Sequence, residues 1–529
     1  MTEQRQNQKN ANSEVRTFSV PFALNKIKEN ITINTNTPTK PSKEKLIKQA
    51  LKFHSQGNIS EAEKYYKSFI NHGYKDHRVF SNYGAILKNL GKLKEAELSY
   101  RKAIALNPDF AQTHYNLGII LKDLGNLQEA EVSTRKAIEI KPDFANAHLN
   151  LGSLLKDLGK SEEAEVSTRK AIQLKPDFAN AHLNLGTIFQ ELGNLKEAEV
   201  STRKAIQLKP DFANAHLNLG NILSDLGKSQ EAESSYSKSI ELNPDFNISL
   251  MNRARLFFNQ EKFDKALRDL DSCNTKESRS FSLEILYKLG RIEEIYQRIE
   301  KTYKLDDSNI SMAAFSSFIT AKENKKTEHN FCPNPLSFLY ISNLRLHLKG
   351  YDKFIKNIIN ELGYINTIWE PPKKATHGGF QTPIHMNLFS NSTENISYLK
   401  SIIIKELDSY LLKFEKESCS YIQNWPSNKH LKAWHVILKK QGYQSAHIHP
   451  DGWLSGVIYL KVVPSRNKDE GAIEFSLNGV NYFDVNSPQL IHQPEEGDIV
   501  FFPSSLHHRT IPFSTDTDRI VIAFDLLPN

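Results

Sequence analysis

The sequence predicts a multidomain chain: an all-α superhelix of stacked helical hairpins, then a double-stranded β-helix (jelly-roll) domain with flanking helices. Three observations carry this. The tripeptide Pro-Asp-Phe recurs at Pro108, Pro142, Pro176, Pro210 and Pro244, each step being 34 residues. The period is lost after about residue 275. Past Trp425-Pro426 the runs LKAWHVILK, GWLSGVIYLKVV, GAIEFSL, DIVFFP and RIVIAFDLL are β-rich, alternating and separated by turns, as an antiparallel sandwich requires.

Residues 1–42 are rich in Asn, Gln, Thr and Lys, with SVPFALNKI as the only apolar patch. Such a stretch buries too little apolar surface to fold alone and reads as a disordered tail. From 43 to 275 about seven units follow. A central one reads FANAHLNLGSLLKDLGKSEEAEVSTRKAIQLKPD. Gly152 supplies the small residue where two helices cross, Ala164 and Ala171 fit tight contacts, and Pro176 closes the second helix. This pattern is similar to the tetratricopeptide repeat in period and in sequence. A single hairpin cannot bury its apolar face, so stacking is obligatory. Residues 276–330 read as a degenerate helical repeat followed by a polar linker, SSFITAKENKKTEHNFCPNPL. Residues 331–529 form the second domain, where ISYLKSIIIKELDSYLLKFEKES has apolar residues at helical spacing and should pack on a sheet.

Asn82, Asn116, Asn150, Asn184, Asn218 and Asn252 occupy one place on the first helix of successive units. That face lines the concave groove of tetratricopeptide arrays. A ladder of amides there can hydrogen-bond the backbone of an extended peptide, so a protein or peptide partner in the groove is expected. The plainer reading is that these amides bridge neighbouring repeats, or were copied by duplication. His114, His148, His182 and His216 also recur, one per unit, too far apart to share a metal, and are taken as structural.

In the second domain, His447 and His449 lie two residues apart in SAHIHPDGWLSGVIYL. On a strand they share a face. A third imidazole, His508 in FPSSLHHRTIP, can close a facial set of three on one metal ion, and Arg519 follows eleven residues later. Adjacent residues face opposite ways, so His507 should point away from His508. Each residue alone has a bland reading: a strand histidine is usually surface or satisfied core, and Asp451-Gly452 is a turn pattern. The joint pattern, in order, resembles the 2-oxoglutarate/Fe(II) oxygenases, with the prolyl-hydroxylase type as a relative. The resemblance matches His447 to the first ligand of the H-x-D motif, His508 to the distal ligand, Arg519 to the arginine that pairs with the tail carboxylate of 2-oxoglutarate, and Tyr459 to a tyrosine that hydrogen-bonds the same group. It implies Fe(II), 2-oxoglutarate as co-substrate and O₂. The carboxylate position of H-x-D is held by His449. Either three histidines bind the metal, or Asp451 swings in, or water completes the set. Trp434, Trp453 and Phe475 are candidate pocket walls, with His435 and His492 as further site candidates.

The expected function is therefore a dioxygenase (hydroxylase) whose repeats recruit a protein or peptide. The alternative is a tetratricopeptide scaffold with a degenerate oxygenase domain. The net charge of +7 over 529 residues, with no long basic block, does not indicate nucleic acid binding. Cys273, Cys332 and Cys419 are widely spaced, which fits a reducing compartment. No signal peptide or membrane-length apolar run is legible, and a cytoplasmic location is expected.

Overall fold

The computed structural model describes residues 41–371, 374–383, 386–390, 392–464 and 467–529. The tail expected over 1–42 lies outside the described residues except for its last two. Two compact units meet at the Asn252–Arg253 bond.

The first unit is built of helix pairs at the repeat spacing. Ala145–Asp157 and Ser161–Leu174 form one pair, and Ala179–Glu191 and Leu195–Leu208 the next. Their crossing is set by glycine. A Cβ on Gly152 would lie 2.2 Å from the Thr168 hydroxyl, and one on Gly186 would lie 2.2 Å from that of Thr202. Ala164 and Ala171 are fully buried at the same contact. Each repeat histidine closes its own turn: Nε2 of His148 lies 2.9 Å from the Pro142 carbonyl, and His182 repeats this with Pro176 at 3.0 Å. The asparagines are partly committed between helices. Nδ2 of Asn150 donates to Thr134 Oγ1, Asn184 to Thr168 Oγ1, Asn218 to Thr187 Oγ1 and Asn252 to Asn221 Oδ1. Asn116 Oδ1 accepts from Gln112, and Asn82 is buried. Four of the six amides thus bridge neighbouring helices, and any backbone-reading role is added to that one.

The second unit carries its own helices, Phe263–Cys273, Lys276–Lys288, Ile292–Thr302 and Ile310–Glu323. The polar linker expected from Ser316 starts later, because Phe315, Phe318 and Ile319 are buried on the last of these helices. The reason is a loop of the β domain. Tyr482 inserts its ring between Phe315 (5.0 Å) and Phe318 (4.7 Å). Asn481 Nδ2 donates to the half-buried Glu284, and Tyr287 donates to the Phe483 carbonyl.

The β domain has two antiparallel sheets. Strands are numbered here in chain order: β1 Tyr340–Asn343, β2 Ile368–Trp369, β3 Thr376–Gln381, β4 Leu431–Gln444, β5 Leu454–Lys461, β6 Ile473–Ser476, β7 Gln489–His492, β8 Asp498–Pro503, β9 His507–Thr510 and β10 Arg519–Leu526. The larger sheet runs β1-β8-β5-β10-β4-β3-β2, the smaller β7-β6-β9. Alternation sorts the larger sheet into two faces. Leu454, Ile458, Phe501, Ile522 and Phe524 join Leu399, Ile402, Ile403 and Leu407 of the helix Glu394–Phe414 in one core. Their neighbours, Ser455, Tyr459, Phe502, Arg519 and Asp525, take the opposite face. The chemistry is thereby concentrated on one side of the sheet.

Candidate functional site

His447 and His449 precede β5 in a segment that is not a regular strand, contrary to the sequence expectation. A single bridge holds it: the backbone N–H of His447 donates to the His508 carbonyl and the reverse bond returns, both at 3.1 Å. His449 N–H donates to the Ser504 carbonyl, after which Pro450 and Asp451 turn the chain. The bridge sets His447 beside His508 on β9, with ring centres 4.3 Å apart, and His449 lies 5.1 Å from each. One nitrogen from each of the three rings lies within 4.8 Å of the other two. Ligands on one ion with bonds of about 2.1 Å lie at most about 4.2 Å apart, so a small contraction satisfies a shared ion. Asp451 is exposed and stands outside this cluster. His507 turns the other way, its ring edge-on to Tyr482 at 5.7 Å.

The Nδ1 atoms are already taken. That of His447 lies 2.7 Å from the Ser445 carbonyl, that of His508 3.1 Å from the Leu506 carbonyl, and that of His449 2.5 Å from Asp525 Oδ1. These acceptors hold the proton on Nδ1 and leave Nε2 with a lone pair for a ligand. Burial lowers His447 to about 3 and His508 well below the ordinary histidine value, with repulsion from neighbouring rings adding to it. Both are therefore neutral bases at pH 7, the form that binds a metal.

Arg519 and Tyr459 form the second half of the site. They sit on neighbouring strands, with the guanidinium carbon 4.9 Å from the Tyr459 ring centre, and both are almost wholly buried. Among the described residues Arg519 makes no salt bridge; Tyr459 is the polar group that faces it, and Nε, Nη1 and the Tyr459 hydroxyl lack a well-formed hydrogen bond. A buried cation without an anion costs several kcal/mol. A planar fork of donors beside a phenol suits a carboxylate.

On the other side of the histidines opens a cavity of about 400 Å³, lined by His447, His449, Trp434, Gln381, Lys374 and Lys432 among others. Trp434 lies 5.5 Å from the His449 ring. Phe475 packs on Phe502, which borders His508. Trp453 is instead core, its indole N–H bonded to the Tyr421 carbonyl. His492 lies on β7, with Nε2 3.1 Å from Asp498 Oδ2. His435 is fully buried, shares the face of core residue Ala433 in the alternation of β4, pairs across with core residue Ile522, and has Nδ1 2.9 Å from Thr382. Neither histidine joins the cluster. Burial lowers His435 to about 4. The unfolded chain therefore binds a proton that the folded one refuses, and stability present above pH 6.5 is lost as pH falls toward 4, on the order of 3 kcal/mol for this residue. Urea unfolding at pH 7 and pH 5 should show a smaller difference in His435→Leu than in the parent; an unchanged difference would refute the assignment.

Sequence reading missed Asp525, Ser455 and Ser504, which surround His449. The pattern was present, since Asp525 is six residues past Arg519 and shares its face of β10, but it becomes meaningful only once His449 is placed.

The fold and site together describe tetratricopeptide repeats joined to an antiparallel β domain of the 2-oxoglutarate/Fe(II) oxygenase kind. Residues 432–525 match the family model "Putative 2OG-Fe(II) oxygenase", and tetratricopeptide models match within 84–246. Solved structures similar to the chain include a tetratricopeptide repeat protein from Parabacteroides merdae, with 19% identity over 45% of this chain and 97% of that one and a TM-score of 0.40. A thermophilic tetratricopeptide protein of Thermus thermophilus has 21% identity over 35% of this chain and 100% of its own, with a TM-score of 0.31. No curated protein matches the chain.

Proposed function

We propose that the C-terminal unit is a 2-oxoglutarate- and Fe(II)-dependent dioxygenase and that the repeats recruit its protein or peptide partner. The observation that carries the enzyme reading is the pairing of a three-histidine cluster with a buried arginine that lacks an anion. His447, His449 and His508 would hold Fe(II) through Nε2. Arg519 would grip the tail carboxylate of 2-oxoglutarate, with Tyr459 donating its hydroxyl to the same group. When bound, the metal, co-substrate and O₂ would supply the oxidising power: one atom of O₂ would enter succinate as 2-oxoglutarate loses CO₂, and the other would be inserted into a substrate C–H bond to give C–OH. The chain's own work is placement. Backbone carbonyls orient two rings, β9 and the 445–453 segment clamp them, and Trp434 walls the cavity where a substrate would meet them.

Recruitment by the repeats is supported by the ladder of six amides. At Asn150, Asn184 and Asn218 Nδ2 is engaged, and the amide oxygen is the group left to meet a backbone N–H. Among the described residues no helix is long and apolar enough to cross a membrane. Cys273, Cys332 and Cys419 are buried, and Cys332 and Cys419 are free thiols, which fits a cytoplasmic protein.

Anaerobic titration with Fe(II) and 2-oxoglutarate, followed by a succinate assay on admitting O₂, tests the enzyme reading. One metal per chain and succinate formation are expected. A chain that binds neither leaves the scaffold reading.

A further inference from the structure

We propose that Asp525 is a positioning residue for His449, supplying from behind that ring the negative charge that an H-x-D motif would place on the metal itself. This rests on the metal-site reading above. With His449 in the third position, three neutral imidazoles face a dication and no ligand offsets its charge. The nearest compensation is the carboxylate of Asp525, whose Oδ1 lies 2.5 Å from His449 Nδ1.

The surroundings make this contact a built one. Asp525 is buried, 8% exposed, with its carboxylate against the His449 ring. The Ser455 hydroxyl donates to the same oxygen at 2.8 Å, and Ser504 lies 2.8 Å behind Ser455. Ser455 Oγ also lies 2.9 Å from His449 Nδ1, but a bare ring nitrogen 2.5 Å from a carboxylate oxygen would be repelled, so Nδ1–H of His449 and O–H of Ser455 both donate to Asp525 and Nε2 of His449 is bare toward the cluster. Gly452 leaves the room for it, since a Cβ there would lie 2.6 Å from Ser504 Oγ and 3.2 Å from the Asp525 carboxyl carbon. His447 and His508 are backed by neutral carbonyls. His449 is distinguished by a carboxylate, which raises ring basicity and locks its tautomer.

The test is a charge swap read by metal affinity, with no turnover involved. Metal-free full-length chain is titrated with Co(II), followed by its visible absorption. Asp525→Asn should weaken Co(II) about 10–100-fold. His449→Ala removes the ring through which Asp525 is proposed to act, so in that background Asp525→Asn should change Co(II) affinity far less than it does in the parent. A merely structural aspartate would weaken binding by the same factor in both backgrounds. Equal losses in the two backgrounds, or an Asp525→Asn chain with unchanged affinity, overturn the proposal while leaving the metal site intact. A parent chain that takes up no Co(II) overturns the metal reading and this proposal together. If Asp525→Asn does not fold, Asp525→Glu against Asp525→Gln poses the same question at matched size, the charged member being expected to bind at least tenfold tighter, and equal affinities would overturn the proposal.

Discussion

Arg519→Lys is expected to weaken 2-oxoglutarate binding by about 10–100-fold, read by anaerobic calorimetry with the metal present. The planar guanidinium can give a carboxylate two parallel N–H donors, which one ammonium cannot reproduce. Charge-assisted hydrogen bonds contribute about 1.5–3 kcal/mol each, and about 1.4 kcal/mol is tenfold. Among the described residues Arg519 makes no salt bridge, Tyr459 being the polar group that faces it, so no compensating ion pair is released by the exchange. Metal affinity without co-substrate should stay near that of the parent. Unaltered co-substrate affinity in Arg519→Lys would remove the residue from the site.

His508→Ala should abolish stoichiometric metal binding, and with it succinate formation. Two imidazoles on an irregular segment make a weak site, whereas His508 is pinned by a two-way backbone bridge to His447. His507→Ala is the internal comparison. It removes a ring that faces Tyr482, so it should lower stability by the loss of packing while leaving the metal stoichiometry at one. If His508→Ala keeps full occupancy and His507→Ala loses it, the two neighbours have been assigned the wrong way round.

Much of this was legible in the chain. The 34-residue period, with Gly152 against Thr168 and Ala164 at the crossing, is local: helix spacing and small residues encode it within one unit. The histidine pattern was readable because alternation is a strict rule, and it separates His507 from His508 without further knowledge. What stayed hidden involves partners distant in sequence. Asp525 is 76 residues from His449, and nothing near either residue announces their contact. The asparagine ladder shows the opposite failure. Its periodicity was plain, yet the hydroxyls that take up its Nδ2 groups, such as Thr134 and Thr168, belong to helices whose approach only packing determines. The linker after Ser316 was misread for a similar reason. Phe315 and Phe318 sit in a stretch of serines, and their cover is a tyrosine from residue 482.

That tyrosine bears on how the protein can be divided. A fragment cut at 331, where the chain invites trimming, would discard the helix Ile310–Glu323 and strip the aromatic seat from Tyr482. The other edge of that ring rests on His507, next to the third metal-binding candidate. An excised β domain would thus carry a raw apolar scar one residue from its chemistry, prone to self-association and slack at the metal. The compact unit that keeps this seat starts at Arg253, among residues that still look like repeats, so a cut placed where the sequence stops repeating falls inside a unit and not between two.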